Sequence, residues 1–488
     1  MESVYSGNHL NDSPKGLVYL LFIVGLLAIG YTLITRQLSL FVALTLFPSF
    51  ILLLLHSIRK PIVSFFLYIG IACYFTAIYR YSHIENLSII MDCSLALCIA
   101  AISFNVVTNH EQYPWKNGVN LLTIMNIAWA CYCILILMDP DTNIYNLKGK
   151  GNRSIFLNIP LTCFLSGVIL CSVKRMRSTF VWMGIFVITA FMKAYWQKKR
   201  GFDAAESAWL VAGGAWHTHA LSSGMRYFSF FSDAGNFGAC MGLFTTIFGI
   251  IGLVAKKRLY RLFLLSIACL ATLCMAWSGT RGAVVIPLGG MLVFFLLSKN
   301  FKVMLITAIA GSFFFSFFYF TDIGNDNPSI KRMRTAFRPD EDASYNVRAM
   351  NRERFAYYLE DKPFGVGLGG KIVDTHQLME LEEDFIPTDS FYVGIWVEGG
   401  IVGLSLYLLM QIAIFIQCGY LILFKIKNKQ LRYILSALTA SCFGLCLNGY
   451  VGRAIEFQPG NTLFILFLSI ALNGEKIDKQ LKPNEIII

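Results

Sequence analysis

Arginine is the residue type in this chain that could do chemistry, and its placement is the first signal. Arg226 opens the run Arg226-Tyr227-Phe228-Ser229-Phe230-Phe231-Ser232-Asp233, just before Ala234-Gly235-Asn236-Phe237-Gly238. A polar, glycine-containing helix start offers backbone N–H groups to an anion, and a guanidinium adds a planar donor fork suited to phosphate oxygens. Arg281 lies in the turn Ser278-Gly279-Thr280-Arg281-Gly282 between two apolar stretches. Small residues there let helices approach, and an arginine so placed is costly without a counter-charge. Arg348 and Arg352 fall one helical turn apart in a helical reading from about Ser344 to Asp361, and Arg354 falls at helical spacing in an apolar stripe of Val347, Met350 and Tyr358. A cation on a packed face is either paired or aimed into a cavity. Arginines at helix ends also occur simply as snorkelling side chains, so spacing alone does not make a site.

Other candidates carry weaker signals. The glycine run Pro363-Phe364-Gly365-Val366-Gly367-Leu368-Gly369-Gly370 lets backbone approach a ligand closely at Gly365 and Gly367. No strand–helix unit surrounds it, so it is not a dinucleotide fingerprint. His217 and His219 flank Thr218 and read as structural. Asp139-Pro140-Asp141 and Asp340-Glu341-Asp342 are the acidic pairs a metal-dependent nucleotide-sugar transferase would use. Both fall on the outward side of the chain, where nucleotide sugars are not expected, and neither a metal nor a cofactor is expected.

The elements that must position these residues are membrane helices. The chain has 488 residues, 56% of them hydrophobic and only 14% charged. Its repeated apolar runs can cross a hydrocarbon layer of about 30 Å at 1.5 Å per residue, and backbone groups in lipid must be satisfied within the segment. The fold class is therefore all-α, a polytopic bundle. The net charge of +12 sits largely in short clusters flanking apolar runs, where it sets topology, and no nucleic-acid partner is expected. The thirteen cysteines fall in or beside the apolar segments and read as small core hydrophobes.

Alternating cationic links give the orientation. Arg59/Lys60, Lys174/Arg175/Arg177, Lys256/Lys257/Arg258/Arg261, Lys299/Lys302, Lys425/Lys427/Lys429/Arg432 and the Lys476/Lys479/Lys482 tail all fall on one side, the cytoplasm. Fourteen helices are expected, the first near Gly16–Thr35 and the second near Leu38–Ser57, with both termini inside. Lys198/Lys199/Arg200 is the exception and falls outside. Residues 1–200 then form N-terminal transmembrane helices and 201–320 central helices with an outer re-entrant segment. Residues 321–389 form one long outer loop, and 390–488 the last helices and a cytoplasmic tail. The loop carries nine Lys and Arg against fourteen Asp and Glu, with most of the positive charge in Lys331–Arg354.

Three blocks in order carry a resemblance: Ser278–Val285 (SGTRGAVV), the arginine-bearing helix leading to Lys362–Gly370 (KPFGVGLGG), and Thr388–Leu404 (TDSFYVGIWVEGGIVGL). From Arg226 onward the chain resembles the O-antigen ligase and polymerase family. The resemblance implies a metal-independent glycosyltransferase of the bacterial inner membrane. Its donor would be an undecaprenyl-pyrophosphate-linked glycan and its acceptor another glycan or the lipid A-core. A chain-length regulator is an implied accessory partner, and capsule or O-antigen synthesis the implied setting. Residue by residue, Arg281 and Arg348 take the family's catalytic arginine positions. Arg226, Arg352, Arg354, Gly365, Gly367 and His376 are expected at the pyrophosphate and glycan.

The family often places a histidine nine residues before the glutamate of its last block. Counting back from Glu398 lands on Asp389. Asp389 could serve as general base, or His376 could supply that group, or no base is needed. Thr388-Asp389-Ser390 also makes an ordinary helix cap. A lipid-linked oligosaccharide flippase is the competing reading. It would commonly show repeated halves, and the sequence has no repeat relating them.

Overall fold

The computed structural model describes residues 53–138, 154–326, 331, 334, 337, 343–370 and 386–487, apart from single positions at 83, 85, 86, 213, 222, 223, 300, 389, 483 and 484. Of two compact units, the larger takes in residues 68–95 and 112–488 and holds Arg226, Arg281 and Arg348. The helices in chain order are α1 Pro61–Cys73, α2 Phe75–Ser82, α3 Ser88–Asn109, α4 Leu121–Leu137, α5 Ile159–Ile169, α6 Val173–Arg200, α7 Ala204–Ala212 and α8 Ala234–Val254. They continue as α9 Arg258–Trp277, α10 Val285–Leu297, α11 Phe301–Phe320, α12 Ala343–Tyr358, α13 Phe391–Tyr420, α14 Lys429–Asn448, α15 Gly460–Leu472 and α16 Gly474–Asp478. Among the described residues the strands are a two-residue ribbon, Ala220–Leu221 against Gly224–Met225.

The class is all-α and multi-pass, as composition demands. Among the described residues six helices are long and apolar enough to cross a membrane, or seven when the α1–α2 pair, bent by 63°, counts as one, beside the fourteen expected over the whole chain. Leu121–Leu137, Ser154–Ile169, Arg281–Leu297, Gly311–Phe320 and Gly460–Leu472 are shorter apolar helices. Local chemistry shortens some of them: a 3-10 turn at Arg281–Val284 starts the α10 segment, and Pro459 precedes α15. The expected span at Gly16–Thr35, and most of that at Leu38–Ser57, lies outside the described residues.

The two central helices are α8 and α14, with 72% and 78% of their most apolar windows buried. α14 packs tightly against α10 because glycine removes side chains at their crossing. A methyl at Gly444 would stand 2.3 Å from the Ile286 carbonyl oxygen, and one at Gly289 would stand 2.4 Å from Leu447. Side-chain caps set the helix starts: Asp233 accepts from the Asn236 amide at 2.9 Å, and Asn428 accepts from Gln430 and Leu431, both at 3.0 Å.

At the Asn428 end of α14 the C-terminal segment folds back. Asp478 accepts from the Lys427 and Asn428 amides, Gln480 donates to the Cys171 carbonyl at 2.7 Å, and Ile487 is buried. Lys299 donates to the Leu423 carbonyl at this same end. Several cationic links thus share one end of the bundle, and the arginines singled out in the sequence share the other.

Candidate functional site

Four chain segments meet at the arginine end. The first is the stretch leading into α8. The Arg226 guanidinium donates to the Ser278 carbonyl (3.1 Å), the Thr218 carbonyl (2.9 Å) and the Thr280 hydroxyl (2.9 Å), so it ties this stretch to the turn that carries Arg281. These bonds use one hydrogen on each nitrogen, leaving the second hydrogens of Nη1 and Nη2 available. Burial pulls the Arg226 guanidinium below its usual pKa. Asp233 opposes that shift, while the charges of Arg281 and Arg348 push the same way. Arg281 on its turn and Arg348 on α12 therefore both lie near enough to act on the Arg226 charge.

The second segment is α12. Its packed face is Asn351, Phe355 and Leu359, exposed by only 6%, 0% and 6%, whereas Val347 and Met350 are exposed. The apolar stripe read from the sequence was therefore one register off. Arg348 and Arg352 continue the packed face by helical spacing, and the Arg348 Nε is buried with no hydrogen-bond partner among the described residues. Arg352 lies 5.0 Å over the Tyr450 ring. Arg354 is half-buried.

The third segment joins the glycine turn to α13. The helix is broken at Gly400, whose φ of 67° and ψ of −171° only glycine adopts readily. The break frees the Val397 and Glu398 carbonyls and the Val402 amide. Val366 N–H takes the Val397 carbonyl at 2.9 Å, Gly367 N–H takes the Glu398 carbonyl at 3.2 Å, and Val402 N–H donates to the Pro363 carbonyl at 3.2 Å. The Tyr132 hydroxyl donates to the Gly399 carbonyl at 2.7 Å. These freed groups are thus satisfied, which backbone in an apolar surround requires. A methyl at Gly365 would stand 2.5 Å from the Gly400 nitrogen, so the close approach this glycine permits is to α13 itself. Phe355, Leu359, Ile386 and Val397 form the small core that locks α12 onto this seat.

The fourth is the link Gly449–Pro459 between α14 and α15, which sequence reasoning passed over. Phe391 N–H donates to the Gly449 and Gly452 carbonyls at 3.0 and 3.1 Å, and Asn448 donates to the Gly282 carbonyl at 2.8 Å. Asn236 donates to the Gln458 carbonyl at 2.9 Å. Asp389, His376, Asp139, Asp141, Asp340, Glu341 and Asp342 lie outside the described residues. So the structure sets Arg281 and Arg348 near Arg226, places Arg352 on Tyr450, and adds the Gly449–Pro459 link.

A buried polar network supports the first segment and was also missed. Arg80 is 4% exposed, donates to the Phe231 carbonyl at 2.8 Å, and lies over both the Trp209 and Phe228 rings. Lys193 pairs with Asp203 and Glu206, both at 2.8 Å, and Gln197 joins Glu206 to Ser229. Lys198 and Arg200 rest on Trp277 and Trp196 at 4.8 and 4.6 Å, a setting that suits cations at a membrane edge.

His219 is structural. Its Nε2 accepts from the Ala234 amide at 3.2 Å, so the ring is neutral and its Nδ1–H donates to the Ala215 carbonyl at 2.9 Å. Burial lowers its pKa; the Ala215 bond opposes that, and the nearby Arg226 charge lowers it further. The folded state therefore favours neutral histidine. The stability this gives is full above the unfolded value of about 6.5 and fades as pH falls below it. Thermal unfolding should come at lower temperature at pH 5 than at pH 7.5, and His219→Gln should shrink that difference. An unchanged pH response in His219→Gln would contradict the assignment.

Fold and site together define a polytopic helical membrane protein with an arginine-lined site at one end of its bundle. Residues 264–408 match the family model described as O-antigen ligase. The match takes in Arg281, α12, the glycine turn and the start of α13, and stops short of Gly449–Pro459. No curated protein and no solved structure matches the chain.

Proposed function

We propose that the chain is a glycosyltransferase of the bacterial inner membrane that moves or polymerises a glycan carried on undecaprenyl pyrophosphate, at the periplasmic face. The observation that carries this reading is the convergence of Arg226, Arg281 and Arg348 from separate elements, with the Arg348 Nε buried and unpartnered. Like charges brought near one another suit a polyanionic ligand, and a pyrophosphate fits the glycan transfer that the match to O-antigen ligase suggests. The alternation of cationic links favours the outer face for this end of the bundle.

In the proposed reaction an acceptor hydroxyl attacks the anomeric carbon of the donor. The bond from that carbon to the pyrophosphate oxygen breaks, and the lipid pyrophosphate leaves with the electron pair. Charge grows on the leaving oxygen as the bond stretches, and guanidinium groups fixed beforehand stabilise it most at that moment. The hydroxyl proton goes to a base, for which Asp389 is the first candidate and His376 the second. The acceptor is another glycan or the lipid A-core, and a chain-length regulator would act on the polymer.

A deletion strain tests the reading. Loss of polymer length with single repeats still delivered marks a polymerase; intact polymer stranded on the lipid carrier marks a ligase. A normal glycan profile at the cell surface would count against both.

A further inference from the structure

We infer that Arg453 is a positioning residue for transfer, and that the Gly449–Pro459 link is a wall of the site that sets the start of α13 against the arginines. The inference rests on the proposed glycosyl transfer. It concerns residues beyond the O-antigen ligase match, which ends at residue 408.

Arg453 could bind substrate or hold the protein, and its partners decide between these roles. Its Nε and Nη2 donate to the two carboxylate oxygens of Glu456 at 2.7 and 2.8 Å. Its Nη1 donates to both the Thr388 hydroxyl (2.9 Å) and the Thr388 carbonyl (3.2 Å). The carboxylate occupies the fork edge that would otherwise grip a phosphate, and it cancels the charge. Arg453 is therefore unlike Arg348, whose Nε has no partner. What remains is a rigid bracket from the link to Thr388.

That bracket acts where it matters for geometry. Thr388 immediately precedes Asp389 and Ser390, and α13 begins at Phe391. Ser390 donates its hydroxyl to the Gly449 carbonyl at 3.0 Å, and Phe391 N–H donates to the carbonyls of Gly449 and Gly452. A methyl at Gly394 would meet Arg453 at 3.5 Å, so the guanidinium lies along the first turn of α13. The same link reaches the other arms. Val451 stands 2.6 Å from where a methyl on Gly282 would sit, beside Arg281; Gln458 takes the Asn236 bond at the start of α8; and Tyr450 carries Arg352 on its ring. One short link thus indexes four elements to one another, and Arg453 holds the joint at Thr388, the residue before the proposed base in the chain.

Steady-state transfer by the purified protein in lipid nanodiscs, with an undecaprenyl-pyrophosphate-linked oligosaccharide as donor, tests this. Rates are normalised to monodisperse, folded protein. Arg453→Ala should lower kcat by roughly tenfold to a hundredfold with donor KM within about twofold, because misplacement of reacting groups costs rate rather than binding. Arg453→Lys, which keeps one donor for Thr388, should recover part of the loss. Thr388→Val should lower kcat less, and adding it to Arg453→Ala should cost nothing further. These milder variants serve if Arg453→Ala fails to fold. A kcat within twofold of the unmodified protein in Arg453→Ala overturns the inference, as does a rise in donor KM without change in kcat. Arg281→Ala is run in parallel. Loss there with none at Arg453 overturns the positioning role alone, while no loss at Arg281 overturns the site on which it rests.

Discussion

Alanine at Arg348 is expected to lower transfer by about 10²–10³-fold while leaving the protein at least as stable as before. The two halves of that expectation come from one observation. Its Nε is buried without a hydrogen-bond partner, and its charge opposes that of Arg226. Removing it relieves repulsion in the free protein and removes a stabiliser of the leaving pyrophosphate. Arg348→Lys keeps charge but loses the fork, so it should fall between the two. Arg281→Ala should show a comparable loss of rate. Arg226→Ala should lose stability as well, because that side chain ties the α8 approach to Ser278, Thr280 and Thr218. Transfer assays paired with thermal unfolding separate these cases. A strongly destabilised Arg348→Ala would make the residue structural and remove the best evidence for an anion in the site.

The second large effect is expected at Gly400. A methyl there would sit 2.0 Å from the Pro363 carbonyl oxygen, in a backbone region nearly closed to other residues. Strain of about 1–3 kcal/mol adds to the collision, so Gly400→Ala should unseat the glycine turn rather than accommodate it. The Val366 and Gly367 amides would lose the Val397 and Glu398 carbonyls, and hydrogen exchange across residues 362–370 should quicken. Transfer should fall with it, since the same seat locks the small core under α12 that holds Arg348. Unchanged exchange together with unchanged transfer would mean that the break is not what positions α12.

Much of the site was legible because arginine is conspicuous in an apolar sequence. Arg226, Arg281 and Arg348 each stood out locally, and each lies at the same end of the bundle. The partners that hold them were not legible. Arg226 bonds to residues 52 and 54 positions away, and no local pattern records that. The glycine run announced close approach of backbone, but the sequence could not say that the partner was the break in α13; a Gly399-Gly400 pair inside an apolar run was the available signal. Arg453 reads as one polar residue in a short link, and its contact with Thr388 spans 65 positions. Arg80 likewise reads as the cation at a helix end, although it is buried beneath Trp209 and Phe228. Hydropathy measures only the length of an apolar run, so it does not tell full spans from the short apolar helices, the 63° bend and the broken helix that share that composition.

The central claim is that this arginine site uses lipid pyrophosphate as leaving group. Its most direct test is release of undecaprenyl pyrophosphate by the purified protein in nanodiscs, measured with lipid-linked oligosaccharide donor in the presence and absence of a glycan acceptor. The account predicts acceptor-dependent release that Arg348→Ala suppresses by about two orders of magnitude. Release that is absent with competent donor and acceptor, or that proceeds equally well in Arg348→Ala, would contradict it.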